Sequence, residues 1–153
     1  METNNRKNDS KETKAREQMI DSTDWLLQEF ISMVNTCDMT IGITLNVGGL
    51  LVSGELIGGK SYFGGIGKDL MLSLGGSDKI RKSFEDWGRK IYSDGTNKKS
   101  RRDFKKPYFI HLKNARFYYP GQQPVPKNQG LWWRSRLEAI DGFSLGSLSI
   151  ESE

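Results

Sequence analysis

His111, Cys37 and the run Gly59-Lys60-Ser61 are the residues of this 153-residue chain whose types could do chemistry. His111 is the only histidine and Cys37 the only cysteine, so acid–base catalysis, nucleophilic attack and a multi-ligand zinc site each lack a partner group. His111 directly follows Ile110 in an alternating stretch. It therefore falls on the face opposite the apolar one, which predicts a surface position. Cys37 comes just after a helical pattern, where a free thiol serves as a small hydrophobe. Gly59-Lys60-Ser61 matches the end of a phosphate-binding loop, with Gly54 in the place of its first glycine. That loop needs its first glycine after a strand and a helix opening at the serine. Here Gly54 falls inside a strand pattern and no helix is expected to open at Ser61. The expectation is a protein that is not an enzyme, with no catalytic residue, no metal ligand and no cofactor.

Two other clusters point to binding. Lys98, Lys99, Arg101, Arg102, Lys105 and Lys106 sit beside Phe104 and Tyr108. Interleaved basic and aromatic groups suit single-stranded nucleic acid, whose phosphates are neutralised while its bases stack. The second cluster is Trp132-Trp133-Arg134. Neighbours on a strand point to opposite faces, so one Trp enters the core and the other stays outside. An exposed Trp beside an Arg has the composition of an interface hot spot. The competing reading is a Trp covered by the loop or the preceding insertion.

These groups sit on an uneven charge distribution. The formal net charge is +4, yet residues 18–59 hold five acids and no Lys or Arg, while residues 60–106 hold thirteen basic groups against six acids. Copies of such a chain can attract one another head to tail, and the basic stretch can attract a polyanion. The plainer reading is that both stretches are solvated faces.

One globular domain is what 35% apolar and 27% charged residues at this length imply. No apolar run approaches the ~20 residues that span a bilayer, so no membrane partner is expected. Met1 to Lys14 has no apolar core of the kind a secretory signal carries, and the expected location is the cytoplasm. Residues 1–17 are too polar to offset their ordering entropy and are expected to form a disordered tail, leaving residues 18–153 as the globular domain.

Met19, Thr23, Leu26, Leu27, Phe30, Ile31 and Val34 recur at steps of three and four, which predicts an amphipathic helix over about 17–35. From Met39 the period falls to two, and Gly48-Gly49 supplies the positive φ angles of a tight hairpin between strands 39–47 and 50–57. Gly54 within the second strand predicts bending or close approach of another backbone. Glycine pairs interrupt 58–76, so only a short helix near Lys68–Leu74 is expected, followed by a better one over Asp78–Tyr92 with Ser77 as its cap. A polar, basic loop then runs to Lys106. Alternation returns at Tyr108-Ile110-Leu112 and shifts phase to Ala115-Phe117-Tyr119, which predicts a bulge at Lys113-Asn114. A Pro-rich loop over 120–130 precedes strands 131–140 and 143–150, joined by an Asp141-Gly142 hairpin turn.

The predicted fold class is thus α+β. An N-terminal helix is followed by a small, strongly bent five-stranded antiparallel β-barrel, with a helical, basic insertion (about 60–106) between strands 2 and 3. Short bent strands close in this way because closure removes exposed edges. This element order, with its LxVGGxxxSGxLxG and IHLKNARxY patterns, resembles the Sm-like barrel family, which would make RNA a partner of the basic insertion.

Three blocks, ITLNVGGLLVSGELIGGKSYF, FIHLKNARFYYPG and LWWRSRLEAIDGFSLGSLSI, are similar to the gas vesicle accessory protein GvpU family. The resemblance implies a non-enzymatic role in forming or organising gas vesicles, which are air-filled protein shells. The implied partners are shell proteins, other accessory proteins or further copies of the chain. It says nothing about the basic insertion, which the three blocks leave out.

Overall fold

The computed structural model describes residues 23–92 and 107–149. The first described helix, α1, spans Trp25–Thr36, and Asp24 caps it by accepting from the Leu26 N–H (2.9 Å) and the Leu27 N–H (3.3 Å). The expected start at residue 17 and the tail over 1–17 lie outside the described residues. Strands β1 (Ile41–Val47) and β2 (Leu50–Leu56) form the expected hairpin, with φ of 60° at Gly48 and 87° at Gly49. Helices α2 (Gly59–Ser73) and α3 (Asp78–Ile91) come next, then β3 (Phe109–Tyr118), β4 (Leu131–Arg136), a 3₁₀ turn (Leu137–Ala139) and β5 (Gly142–Leu145).

The five strands make one antiparallel sheet in the order β4-β3-β2-β1-β5. Its inner face carries Ile43, Leu45, Val52, Leu56, Ile110, Leu112 and Ala115, packed with Leu27, Ile31 and Val34 of α1. The period-two stretches of sequence correspond to this face. After Leu112 the phase shifts, as expected. Asn114 takes a φ of 52°, the β3–β4 register slips between Leu112 and Ala115, and Ala115 and Phe117 return to the inner side. Gly54 lies opposite this bulge, where a Cβ would stand 2.9 Å from the Lys113 carbonyl oxygen and 3.0 Å from Ala115 Cα. The absent side chain lets β3 bend against β2.

Two expectations are corrected here. The sheet does not close into a barrel: β4 and β5 are its two edges and are not hydrogen-bonded to each other. Nor do they form a hairpin at Asp141-Gly142. The chain leaves β4 at Arg136, turns through Leu137–Ala139 and reaches the far edge, where the Asp141 N–H donates to the Asn46 carbonyl (2.9 Å). Leu137 is buried in the core cluster, so this crossing lies beneath the sheet and its alternation reads like a continued strand.

The glycine-rich insertion is a helical hairpin rather than one short helix and one long one. Helix α2 opens at Gly59, nine residues before the expected Lys68, because Gly59, Gly65 and Gly67 are contact points. A Cβ on Gly67 would lie 2.6 Å from Phe84 Cβ of α3, and one on Gly88 of α3 would lie 3.2 Å from Phe63 Cβ. Close packing of the two helices offsets the ~1 kcal/mol per residue that glycine costs in a helix. Helix α3 has the expected bounds, with Ser77 at its N-cap position but no side-chain bond from it. Asp78, Arg81, Lys82 and Glu85 form exposed ion pairs along it, and Arg89 pairs with Asp86.

Candidate interaction surface

Of the residues singled out for binding, Trp132, Trp133 and Arg134 lie on β4, at one edge of the sheet. Register places His111 opposite Arg134 and Leu112 opposite Trp133. Residues opposed in an antiparallel pair share a face, so Trp133 turns inward with Leu112 while Trp132 and Arg134 turn outward with His111. Trp133 packs against the main core. Trp132 lies under α2: its indole Nε1–H donates to Asp69 Oδ2 (2.6 Å), and its ring meets Tyr62 edge-on with centroids 6.1 Å apart. The indole occupies the space a side chain at Gly65 would need. Both indoles are half-buried, so Trp132 follows the reading in which the insertion covers it. Gly65→Leu is expected to unseat Trp132 and cost about 1–3 kcal/mol, read as a lower urea midpoint. An unchanged midpoint would mean that the hairpin does not depend on this contact.

His111 is not at the surface; it is 1% exposed. Alternation does place it on the face opposite Ile110, but α2 and Tyr92 roof that part of the sheet and exclude solvent. The imidazole lies 4.7 Å from the Tyr62 ring and 5.4 Å from the Tyr92 ring, centroid to centroid. Arg134 Nε–H donates to His111 Nε2 at 3.2 Å, with the Tyr92 hydroxyl 3.4 Å from the same nitrogen. A guanidinium can only donate, so Nε2 is bare and the neutral ring carries its proton on Nδ1. Nδ1 is buried and has no hydrogen-bond partner among the described residues. Burial, and then the Arg134 charge, push the His111 pKa from 6.5 down to about 3. Burial likewise raises the Tyr62 and Tyr92 phenols. The Arg134 guanidinium also stands 3.6 Å over the Phe109 ring centroid. Arg134 is therefore a clamp across β3 as well as a surface charge.

A cleft of about 260 Å³ opens between the C-terminal end of α1 and the start of α2, lined by Asn35, Cys37, Asp38, Lys60, Ser61 and Tyr92 among others. Asn35 Oδ1 accepts the Gly59 N–H (2.9 Å) across it. A helix does open at Gly59-Lys60-Ser61, contrary to expectation. Only Ile57 and Gly58 separate it from β2, however, and Gly54 is a strand residue paired with Ile43, so no loop exists to wrap a phosphate. Among the described residues no three His, Cys, Asp or Glu side chains come together in a metal-holding group. Lys98, Lys99, Arg101, Arg102, Lys105 and Lys106 lie outside the described residues. No helix among the described residues is long and apolar enough to cross a membrane.

Two features carried no direct signal in the sequence: the roof over His111 and the open strand edges. The first depends on a helix hidden by its glycines, and the second on which strands are neighbours. No curated protein and no solved structure matches the chain significantly. A family profile described as gas vesicle protein GvpU-like matches residues 24–148, which takes in every described element from α1 to β5. The chain belongs to the GvpU-like gas vesicle protein family.

Proposed function

We propose that the protein is a non-enzymatic gas vesicle accessory protein that binds the vesicle shell or other accessory proteins and promotes vesicle formation or clustering by associating with itself. The family match over residues 24–148 carries this reading. The charge distribution supports the self-association: the stretch 18–59 has a net charge of −5 and the stretch 60–106 a net charge of +7. A positive segment of one copy can meet the negative segment of the next in a heterologous contact that need not close. Single contacts of this kind contribute about 0–1 kcal/mol. Many in parallel on one vesicle reinforce each other.

The experiment adds the purified chain to isolated gas vesicles, which rise in a centrifuge tube because they hold air. The chain is expected to rise with them and to enlarge the clusters seen by light scattering. Changing Lys98, Lys99, Arg101 and Arg102 together to Gln is expected to shrink the clusters at low salt, as exposed charges are screened beyond about 8 Å at physiological ionic strength. A chain that stays behind while the vesicles rise, at low and high salt alike, would overturn the proposal.

A further inference from the structure

We infer that copies of this protein join head to tail through strand pairing, the free edge of β4 in one copy meeting the free edge of β5 in the next. The inference deepens the proposed self-association and rests on it. Among the described residues neither edge has a strand partner.

The backbone on each edge is set by the ladder beside it. The Gly146 N–H donates to the Gly42 carbonyl (2.7 Å), continuing the β1–β5 register past Ile43 and Leu145. Hydrogen-bonded and non-hydrogen-bonded pairs alternate along an antiparallel ladder. Ser144 therefore turns its N–H and C=O to β1, and Phe143 and Leu145 turn theirs outward. On the other edge the Leu137 N–H donates to the Tyr108 carbonyl (2.8 Å). Trp133 and Ser135 then bond to β3, while Arg134 and Arg136 present free N–H and C=O groups. Each edge offers two residues of outward backbone at the spacing the other needs.

The side chains complement one another on both faces. Phe143 and Leu145 oppose Leu45 and Ile43 and so belong to the inner face, as do Leu131 and Trp133 opposite Ala115 and Leu112. Yet Leu145 is 56% and Leu131 47% exposed, because the inner layer stops short at both ends. Setting one edge against the other continues that layer and buries both leucines. On the outer face β4 brings Arg134 and Arg136, and β5 brings only Gly142 and Ser144, with the exposed carboxylate of Asp141 at its start. Long cationic side chains meet small residues and an acid. Pro and inward-pointing charges commonly keep edge strands unpaired. Neither strand has either, and the two charges on β4, Arg134 and Arg136, lie on the outer face.

Two single variants test this by complementation. Arg136→Pro removes an outward N–H on β4, and the native φ of −73° and ψ of 142° at Arg136 already suit proline. Leu145→Glu puts a charge into the contact from β5 at an exposed position. In sedimentation velocity at constant salt, the wild-type chain is expected to grow in mass with concentration. Each variant alone, with one usable edge, is expected to remain monomeric, and their mixture to form a 1:1 heterodimer that grows no further. If the wild type associates and both variants do so equally, strand pairing is overturned while the proposed self-association stands. A wild type that is monomeric at every concentration overturns both. Amide hydrogen exchange on the wild type is independent of how the variants fold: Arg134, Arg136, Phe143 and Leu145 are expected to gain protection with concentration, and unchanged exchange at these four overturns the inference.

Discussion

Acidification is expected to destabilise this fold by about 1.4 kcal/mol per pH unit through His111 alone, once the pH falls below the ordinary histidine range. In the folded chain the ring stays neutral until about pH 3, because it is buried beneath Tyr62 and Tyr92 and faces the Arg134 guanidinium. In the unfolded chain the same ring takes up a proton near 6.5. Between these values the unfolded state holds one proton more, so stability rises with pH and is lost as pH falls. The contribution is complete above about 6.5 and gone below about 3. Across the window it is of order 4–5 kcal/mol, comparable with the whole stability of a marginal domain, about 5–15 kcal/mol. His111 is the only histidine, so its ring C–H resonances can be followed without ambiguity. An NMR titration is expected to show no imidazole protonation in the folded chain down to pH 4. A midpoint between 6 and 7 would mean that the roof of α2 opens and the ring is hydrated.

Readability of the sequence divides along physical lines. Features set by neighbours along the chain were legible. Gly48-Gly49 marked its hairpin because few residues other than glycine accept two successive positive φ angles. The phase shift at Lys113-Asn114 marked its bulge because a strand alternates sides and cannot skip one without an extra residue. Helix α3 was legible from Ile80, Phe84, Trp87 and Ile91 at helical spacing. Features set by packing were not. Helix α2 contains Gly59, Gly64, Gly65 and Gly67. Intrinsic propensity argues against a helix there, and the packing of Gly65 on Trp132 and Gly67 on Phe84 overrides it. Because the first half of α2 was missed, His111 lost its roof and was assigned to the surface. The turn after Arg136 was read as more strand because Leu137 and Ala139 keep the alternation while crossing beneath the sheet. Closure failed for a related reason. The first three strands were readable, but where the fifth strand lies, and whether the outermost strands meet, depends on the path beneath the sheet and on curvature summed over the whole of it. Of the candidate binding residues, Trp132, Trp133 and Arg134 were placed together by adjacency. What each touches depended on α2 and on the β3–β4 register.

Leu112→Ala is expected to cost about 2–5 kcal/mol, the range for emptying a fully buried leucine site. Leu112 is completely buried on β3 and opposes Leu56 on one side and Trp133 on the other. It is therefore held by central strands that cannot easily collapse into the space. The half-buried indole of Trp133 has room to lean toward the cavity, which argues for the lower half of the range. Leu72 offers the contrast. It has the same side chain on α2 but is 65% exposed, so Leu72→Ala should change stability by less than about 0.5 kcal/mol. The comparison is made by urea unfolding at a chain concentration low enough to keep the protein dissociated, where a lower midpoint at constant slope reports stability alone. Equal costs at the two sites would contradict the placement of the core on the inner face. A cost at Leu72 that appears only as the chain concentration is raised would have another meaning: a second copy then covers α2, and the helical hairpin joins the strand edges as a surface of assembly.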